Sequence, residues 1–164
     1  MSTEIHDGIA VRVTRRFDHD PSVVFRAFTD PTIAARWMWA GRGSSPYAQI
    51  DLRVGGRYRI AIAADPDDDG WPGSERAMRG TYIEIVPNSR LVYTVHWDAD
   101  VGYNRPGFGA IDEAVIVDLV AVGDGAGLTL QHVGLPGDVV SAETHAQGIE
   151  ASLDLLSTLL EEIG

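Results

Sequence analysis

Apolar and polar residues alternate from Ile9 to Phe17, with Ile9, Val11 and Val13 on one side and Ala10, Arg12, Thr14 and Arg16 on the other. A period of two predicts a strand over 9–17 with one buried face. Asp20-Pro21 and Asp30-Pro31 then give the same signal twice. Each is a carboxylate able to cap a helix, followed by a ring suited to the first helical position, where an N–H would lack a partner. Two short helices follow strand one, with Val24, Phe25 and Phe28 as the apolar face of the first and 33–37 in the second.

Period two returns after Gly55-Gly56, over 57–62, where Tyr58, Ile60 and Ile62 alternate with Arg57, Arg59 and Ala61. Further strands are predicted over 78–86 and 90–97, joined through Pro87-Asn88-Ser89, and over 113–122 and 128–133, joined through 123–127. The stretches 65–75 and 98–112 are rich in Gly, Pro and Asp and read as excursions, and 41–45 as a loop.

From 138 to 163 the period becomes helical. Ala142, Ala146, Ile149, Leu153, Leu156, Leu160 and Ile163 step by alternating fours and threes, a single apolar seam. Glu143, Glu150, Asp154 and Glu161 border it as an acidic stripe, and Glu143, Glu150 and Glu161 are expected in water. Gly148 in mid-helix costs ~1 kcal/mol relative to Ala, which predicts close approach by a neighbouring element. Strand, two short helices, a run of antiparallel strands and a long helix make an α+β fold of two layers, with some six or seven strands in the sheet. The space between sheet and helix is where a ligand would go. With no internal repeat or linker, 1–164 reads as a single domain with its core over 9–163.

Composition narrows the chemistry. The 164 residues are 45% apolar and include no cysteine, so disulfides, thiolate nucleophiles and thiolate metal sites are excluded. There is no long apolar run and no basic-then-apolar start, which reads as cytoplasmic with no membrane insertion. A net charge of -11 argues against nucleic acid, whose binding rests on clustered cations. The charge is uneven: residues 1–64 hold nine Arg and six acids, and 65–164 hold four Arg and 18 acids. The two halves either pair within the domain or leave an Arg-lined patch for an anionic ligand.

Specific residues resemble a known family. They begin with Arg15-Arg16-Phe17-Asp18, Pro21, 24–31 and Arg36-Trp37. They continue through 51–58, Gly80-Thr81-Tyr82, Pro87, 90–94 and 128–132 to Gly148 and 153–156. In order and spacing they resemble START-like (SRPBCC) proteins, in the branch of homologues of the heat-shock-protein-90 ATPase activator. The resemblance implies the helix-grip fold, a curved antiparallel sheet around the C-terminal helix over a ligand cavity. It does not select among carriers, cyclases and protein-binding members. The branch usually has an aromatic after the glycine of the last helix, where this chain has Ile149.

The five histidines show no HxxxH or HExxH spacing, so no metal and no cofactor is implied. His6 and His19 read as surface. His132 shares a strand face with Leu128 and Leu130, and His145 lies on the shoulder of the helix seam. Glu113 is in register with Val115, Val117 and Leu119. It either points into the cavity near its mouth or stands in solvent ahead of the settled pattern. The segment 65–70 imitates half a calcium loop but has Arg76 where the bidentate Glu belongs, and reads as a solvated turn. Gly123, Gly125 and Gly127 lie between strands and do not suit phosphate binding.

Aromatic rings with a few polar tips suit a small apolar or aromatic ligand. The expected lining is Trp37, Tyr58, Tyr93, Trp97, Glu113, His132, His145, Ile149 and Leu153. The first reading is therefore a binder of a small hydrophobic ligand, acting as a monomer or homodimer, with no residue assigned as catalytic. The alternatives are a cyclase- or dehydratase-type acid/base enzyme using His132, His145 or Glu113, and a regulator of a chaperone ATPase. The last would use the acidic stripe as a protein-binding edge, unless that stripe pairs internally with Arg12, Arg16, Arg57 or Arg59.

Overall fold

The computed structural model describes residues 2–6, 10–39, 43–64, 75–99, 113–134 and 139–163. Strands β1 (Ser2–His6) and β2 (Ala10–Phe17) lead into helices α1 (Pro21–Thr29) and α2 (Pro31–Trp37). Strands β3 (Gly43–Ile50), β4 (Arg57–Ala64), β5 (Glu75–Val86), β6 (Arg90–Ala99), β7 (Glu113–Val122) and β8 (Gly125–Val133) precede helix α3 (Val139–Ile163). All eight strands form one antiparallel sheet in the order β1-β2-β8-β7-β6-β5-β4-β3. Residues from β2 at one side and β4 at the other join a single apolar cluster with Leu153, Leu156 and Leu160 of α3. The sheet thus wraps the helix in the helix-grip arrangement.

The sheet has eight strands where six or seven are expected, and the two that show no alternation, β1 and β3, are its edges. β1 and β3 each pair on one side only, so burial imposes little pattern on them. β3 also carries Pro46 beside a register break between Ser44 and Tyr47, and it takes in 43–45, which read as loop. An edge strand tolerates both features because its outer N–H groups face no partner. The β7–β8 hairpin turns on Gly123-Asp124 alone, with Gly123 at φ 58°, so Gly125, Ala126 and Gly127 belong to β8 and not to the connection. β5 and β6 are longer than the alternation marks them, starting at Glu75 and ending at Ala99.

Both helix caps form as the sequence dictates. Asp20 accepts from the Ser22 backbone N–H at 2.9 Å, and Asp30 from that of Thr32 at 2.9 Å, each with Pro at the first helical position. Trp37 then fixes α2 on α1. Its indole N–H donates to the Ala27 carbonyl at 2.9 Å, and its ring meets Phe28 edge-on at 4.8 Å.

The α3 seam is buried at Ala146, Leu153, Leu156 and Leu160, while Ile149 is half-buried against the core. Ile163 is not part of it: the side chain is 46% exposed, past the end of the packed surface. Leu159 is buried in addition, and α3 packs on α2 as well as on β1 and β2. Gly148 departs from expectation. A Cβ built there meets nothing within 4 Å, so no close approach requires the glycine.

The acidic stripe is partly engaged. The Thr3 hydroxyl donates to Glu150 at 2.7 Å, which leaves Glu150 half-buried and not in water. Asp154 pairs with Arg15, whose side chain lies between sheet and helix on the face of Val11 and Val13. Arg36 reaches Glu162 at 3.3 Å, placing a cation beside a carboxylate that the helix C-terminus disfavours. Internal pairing is therefore real, but with Arg15 and not with the expected arginines. Arg12 faces Glu4, Arg16 faces Asp18 and Arg59 faces Glu75. Glu143 and Glu161 are exposed, as expected. Among the described residues, no helix is long and apolar enough to cross a membrane.

Candidate functional site

Antiparallel pairing places Val95 of β6 opposite Glu113, and His132 of β8 opposite Val115. Glu113 therefore has Trp97 on one diagonal and His132 on the other, all on the inner face, within reach of long side chains. The contacts follow. The His132 Nε2 position lies 2.6 Å from Glu113 Oε1, and the Trp97 indole N–H donates to Glu113 Oε2 at 2.9 Å. His145, in the second turn of α3, brings Nε2 to 3.4 Å from the same Oε1. The two imidazoles stand edge to face, with centroids 5.2 Å apart.

The cluster is deeply buried. The Glu113 side chain is 2% exposed, that of His132 6% and that of His145 7%. Glu113 thus faces inward on the row of Val115, Val117 and Leu119, which resolves its two expected positions. Burial pushes its carboxyl pKa upward, but the hydrogen bonds and charges of His132 and His145 outweigh that and hold it at about 2. His132 is held below its ordinary value, chiefly by burial, with Glu113 opposing and His145 reinforcing the shift. At neutral pH the centre is accordingly a carboxylate that accepts an N–H from a neutral His132. That bond places the His132 proton on Nε2.

A ring of aromatics adjoins it. Trp39 meets Trp97 at 5.5 Å, and its indole N–H donates to the Ile60 carbonyl at 3.0 Å. Tyr93 lies on the same strand face as Trp97 and forms a trio with Tyr58 and Tyr82, with centroids 5.3 to 6.2 Å apart. Tyr58 stands opposite Gly80 in the register, and its hydroxyl donates to the Thr94 carbonyl on the strand beyond. A Cβ on residue 80 would sit 2.0 Å from that carbonyl oxygen, so the glycine is what lets Thr94 and β5 come together. Burial raises the pKa of all three phenols, for Tyr58 with help from Tyr93, Tyr82 and Glu113, so they remain neutral donors.

Of the nine residues expected to line a site, the structure brings Trp97, Glu113, His132 and His145 into one constellation. Tyr93 and Tyr58 stand beside it, and Ile149 and Leu153 continue the His145 face of α3 at steps of four. Trp37 is placed elsewhere, its indole N–H held between the two short helices. Three neighbours were not singled out as site residues. Trp39 lies just past α2, Tyr82 is turned inward ahead of the break in β5–β6 pairing between Tyr82 and Glu84, and Arg76 is 1% exposed opposite the buried Ile62. Only the Arg-Ala-Met alternation of 76–78 could have marked Arg76, and it adjoins a stretch that reads as loop. The calcium-like segment 65–70 and residues 100–112 of the second excursion lie outside the described residues.

A family profile described as activator of Hsp90 ATPase homolog 1-like protein matches residues 18–161. No curated protein matches the chain. Among solved structures, a protein from Chromobacterium violaceum is 31% identical, with 93% of this chain and 96% of that one covered at a TM-score of 0.71. One from Rhizobium loti is 25% identical, covering 91% and 94% at 0.69. A Rhodobacter sphaeroides protein, at 19% identity, shares the fold over 99% of both chains with a TM-score of 0.78.

Proposed function

The chain belongs to the family of activator of Hsp90 ATPase homolog 1-like proteins, and from that premise we propose that it binds a small hydrophobic or aromatic ligand between its sheet and α3. The observation that carries this reading is the burial of the Glu113 carboxyl group on the apolar row of Val115, Val117 and Leu119, with Trp97, His132 and His145 around it. Burying a charge is costly, and replacing such a group with well-packed apolar residues is often neutral or stabilising. A recognition role accounts for its presence. The cluster fixes the polar tip of a ligand whose body packs on Trp39, Trp97, Tyr93 and Ile149.

Native mass spectrometry of the purified protein tests this reading. The expected result is a co-purified small molecule that is lost when Ile149→Trp adds bulk between α3 and the sheet while the fold is kept. Retention of the same molecule in that variant would place it elsewhere.

A second reading, acid/base catalysis in the same site, is favoured by the 2.6 Å contact that holds His132 in one orientation against a carboxylate. Glu113→Gln separates the two readings. A binder loses affinity alone, whereas an enzyme loses turnover with binding kept. Regulation of a chaperone ATPase, as the family description has it, would require a free docking surface. The acidic edge of α3 supports that less well, since Glu150 and Asp154 are engaged within the chain.

A further inference from the structure

The donor set around Glu113 has a chemistry that ligand recognition does not use. One carboxylate oxygen and two imidazoles, each on a different element, converge so that their ligating atoms all lie within 4.8 Å of one another. A tetrahedron of ~2.1 Å metal–ligand bonds has edges of ~3.4 Å. Glu113 Oε1 to His145 Nε2 is 3.4 Å, and the contact to His132 is 2.6 Å, so modest side-chain rotation brings three donors to a common centre.

We propose that Glu113, His132 and His145 bind a divalent transition-metal ion of the Zn2+ or Fe2+ type, as a two-histidine, one-carboxylate site. The arrangement has the marks of such a centre. The ligands come from β7, β8 and α3, so the assembled fold sets their geometry and no sequence motif announces it. Trp97 holds the second carboxylate oxygen at 2.9 Å, which orients Glu113 to ligate through Oε1 alone. Outer hydrogen bonds of this kind orient metal-bound carboxylates and tune affinity. The ion takes the place of the proton between His132 Nε2 and Glu113 Oε1, and that proton passes to Nδ1 as the neutral imidazole changes tautomer. One oxygen and two nitrogens are too few oxygens for Ca2+ or Mg2+, and borderline ions match imidazole. Three protein ligands leave a fourth position to water or to a ligand's polar atom. The proposal holds whether or not an organic ligand fills the aromatic part of the site.

The test is a titration of protein stripped by a chelator and dialysed, using Co2+ alone as a visible probe and then Zn2+ as competitor. Expected are d–d absorption bands saturating at one Co2+ per chain, displacement by Zn2+, and no effect of Mg2+ in large excess. His132→Gln and His145→Gln should each weaken binding at least 100-fold, while His96→Ala on the other side of β6 leaves it unchanged. Circular dichroism checks that the variants fold. Zn2+ should also raise the melting temperature of the unmutated protein in a concentration-dependent way, a readout that requires no variant. Absence of cobalt bands and of any Zn2+-dependent melting shift would overturn the assignment. So would undiminished binding in the folded His132→Gln and His145→Gln variants. Metal binding without any co-purified organic molecule would leave this site standing and remove the ligand reading alone.

Discussion

Glu113 and His132 stand on adjacent strands two residues out of direct register, and their side chains meet at 2.6 Å in a place sealed from water. That contact couples the fold to pH. Among the described residues, Glu113 is contacted by Trp97 on β6, His132 on β8 and His145 on α3, and its charge is felt by the phenol of Tyr58 on β4.

Stability should rise with pH across the acid range. His132 has a lower pKa folded than its ordinary 6.5, so below that value the unfolded chain takes up the proton first and stability falls. Glu113 has its carboxyl depressed from 4.5 to about 2, so its contribution is present above 4.5 and is lost as pH falls through that window. Both effects share one sign. Urea midpoints of metal-free protein should fall between pH 7.5 and 5.5 and again between 4.5 and 3, and Glu113→Gln should blunt the second fall. A midpoint unchanged from pH 7.5 to 3 would contradict the neutral buried His132.

Leu156 has no exposed surface, and its replacement by Ala should cost ~2–5 kcal/mol through lost burial and a residual cavity. Ile163→Ala, in line with the seam but beyond its packed end and 46% exposed, should change stability by no more than about 0.5 kcal/mol. Urea unfolding of both variants reads the difference. Equal losses would mean that the end of α3 is covered.

Two glycines should respond oppositely to the same substitution. Gly148→Ala adds a methyl to open space in a helix interior and should stabilise by ~0.5–1 kcal/mol. Gly80→Ala puts a Cβ 2.0 Å from the Thr94 carbonyl oxygen and displaces the acceptor of the Tyr58 hydroxyl. A loss of ~1–3 kcal/mol is expected there, with altered tyrosine absorbance in the near-ultraviolet.

Arg15→Ala removes a largely buried cation that holds Asp154 of α3. Its loss should exceed that of Arg12→Ala, whose 3.8 Å pair with Glu4 is exposed and worth ~0–1 kcal/mol. Comparable losses would place Arg15 in solvent.

Legibility in the sequence followed burial. The strands with one buried face, the two Asp-Pro caps and the α3 seam each leave a periodic or positional trace, and each was readable. β1 and β3 leave little trace because an edge strand owes its position to one neighbour's hydrogen bonds, with no buried row of its own. His132 could be assigned to an inner face from its strand period, whereas Glu113, at the very start of β7, could not be, and their meeting depends on the β7–β8 register, set by the two-residue turn at Gly123-Asp124. Spacing along the chain therefore gave no metal signature. Trp37 and Gly148 misled for opposite reasons. A buried indole served a helix–helix hydrogen bond, and a helical glycine served no contact at all.

The pairing of β2 with β8 means that one of the first strands made is completed by the last. During synthesis Val11 and Val13 emerge early, paired on one side with β1, yet the strand on their other side and the helix that covers them follow only from residue 125 onward. Contacts so distant in sequence carry a large closure entropy and slow folding. A nascent chain halted before β8 should leave β2 open on its inner edge, with a row of unpaired N–H and C=O groups that chaperones or other strands can meet.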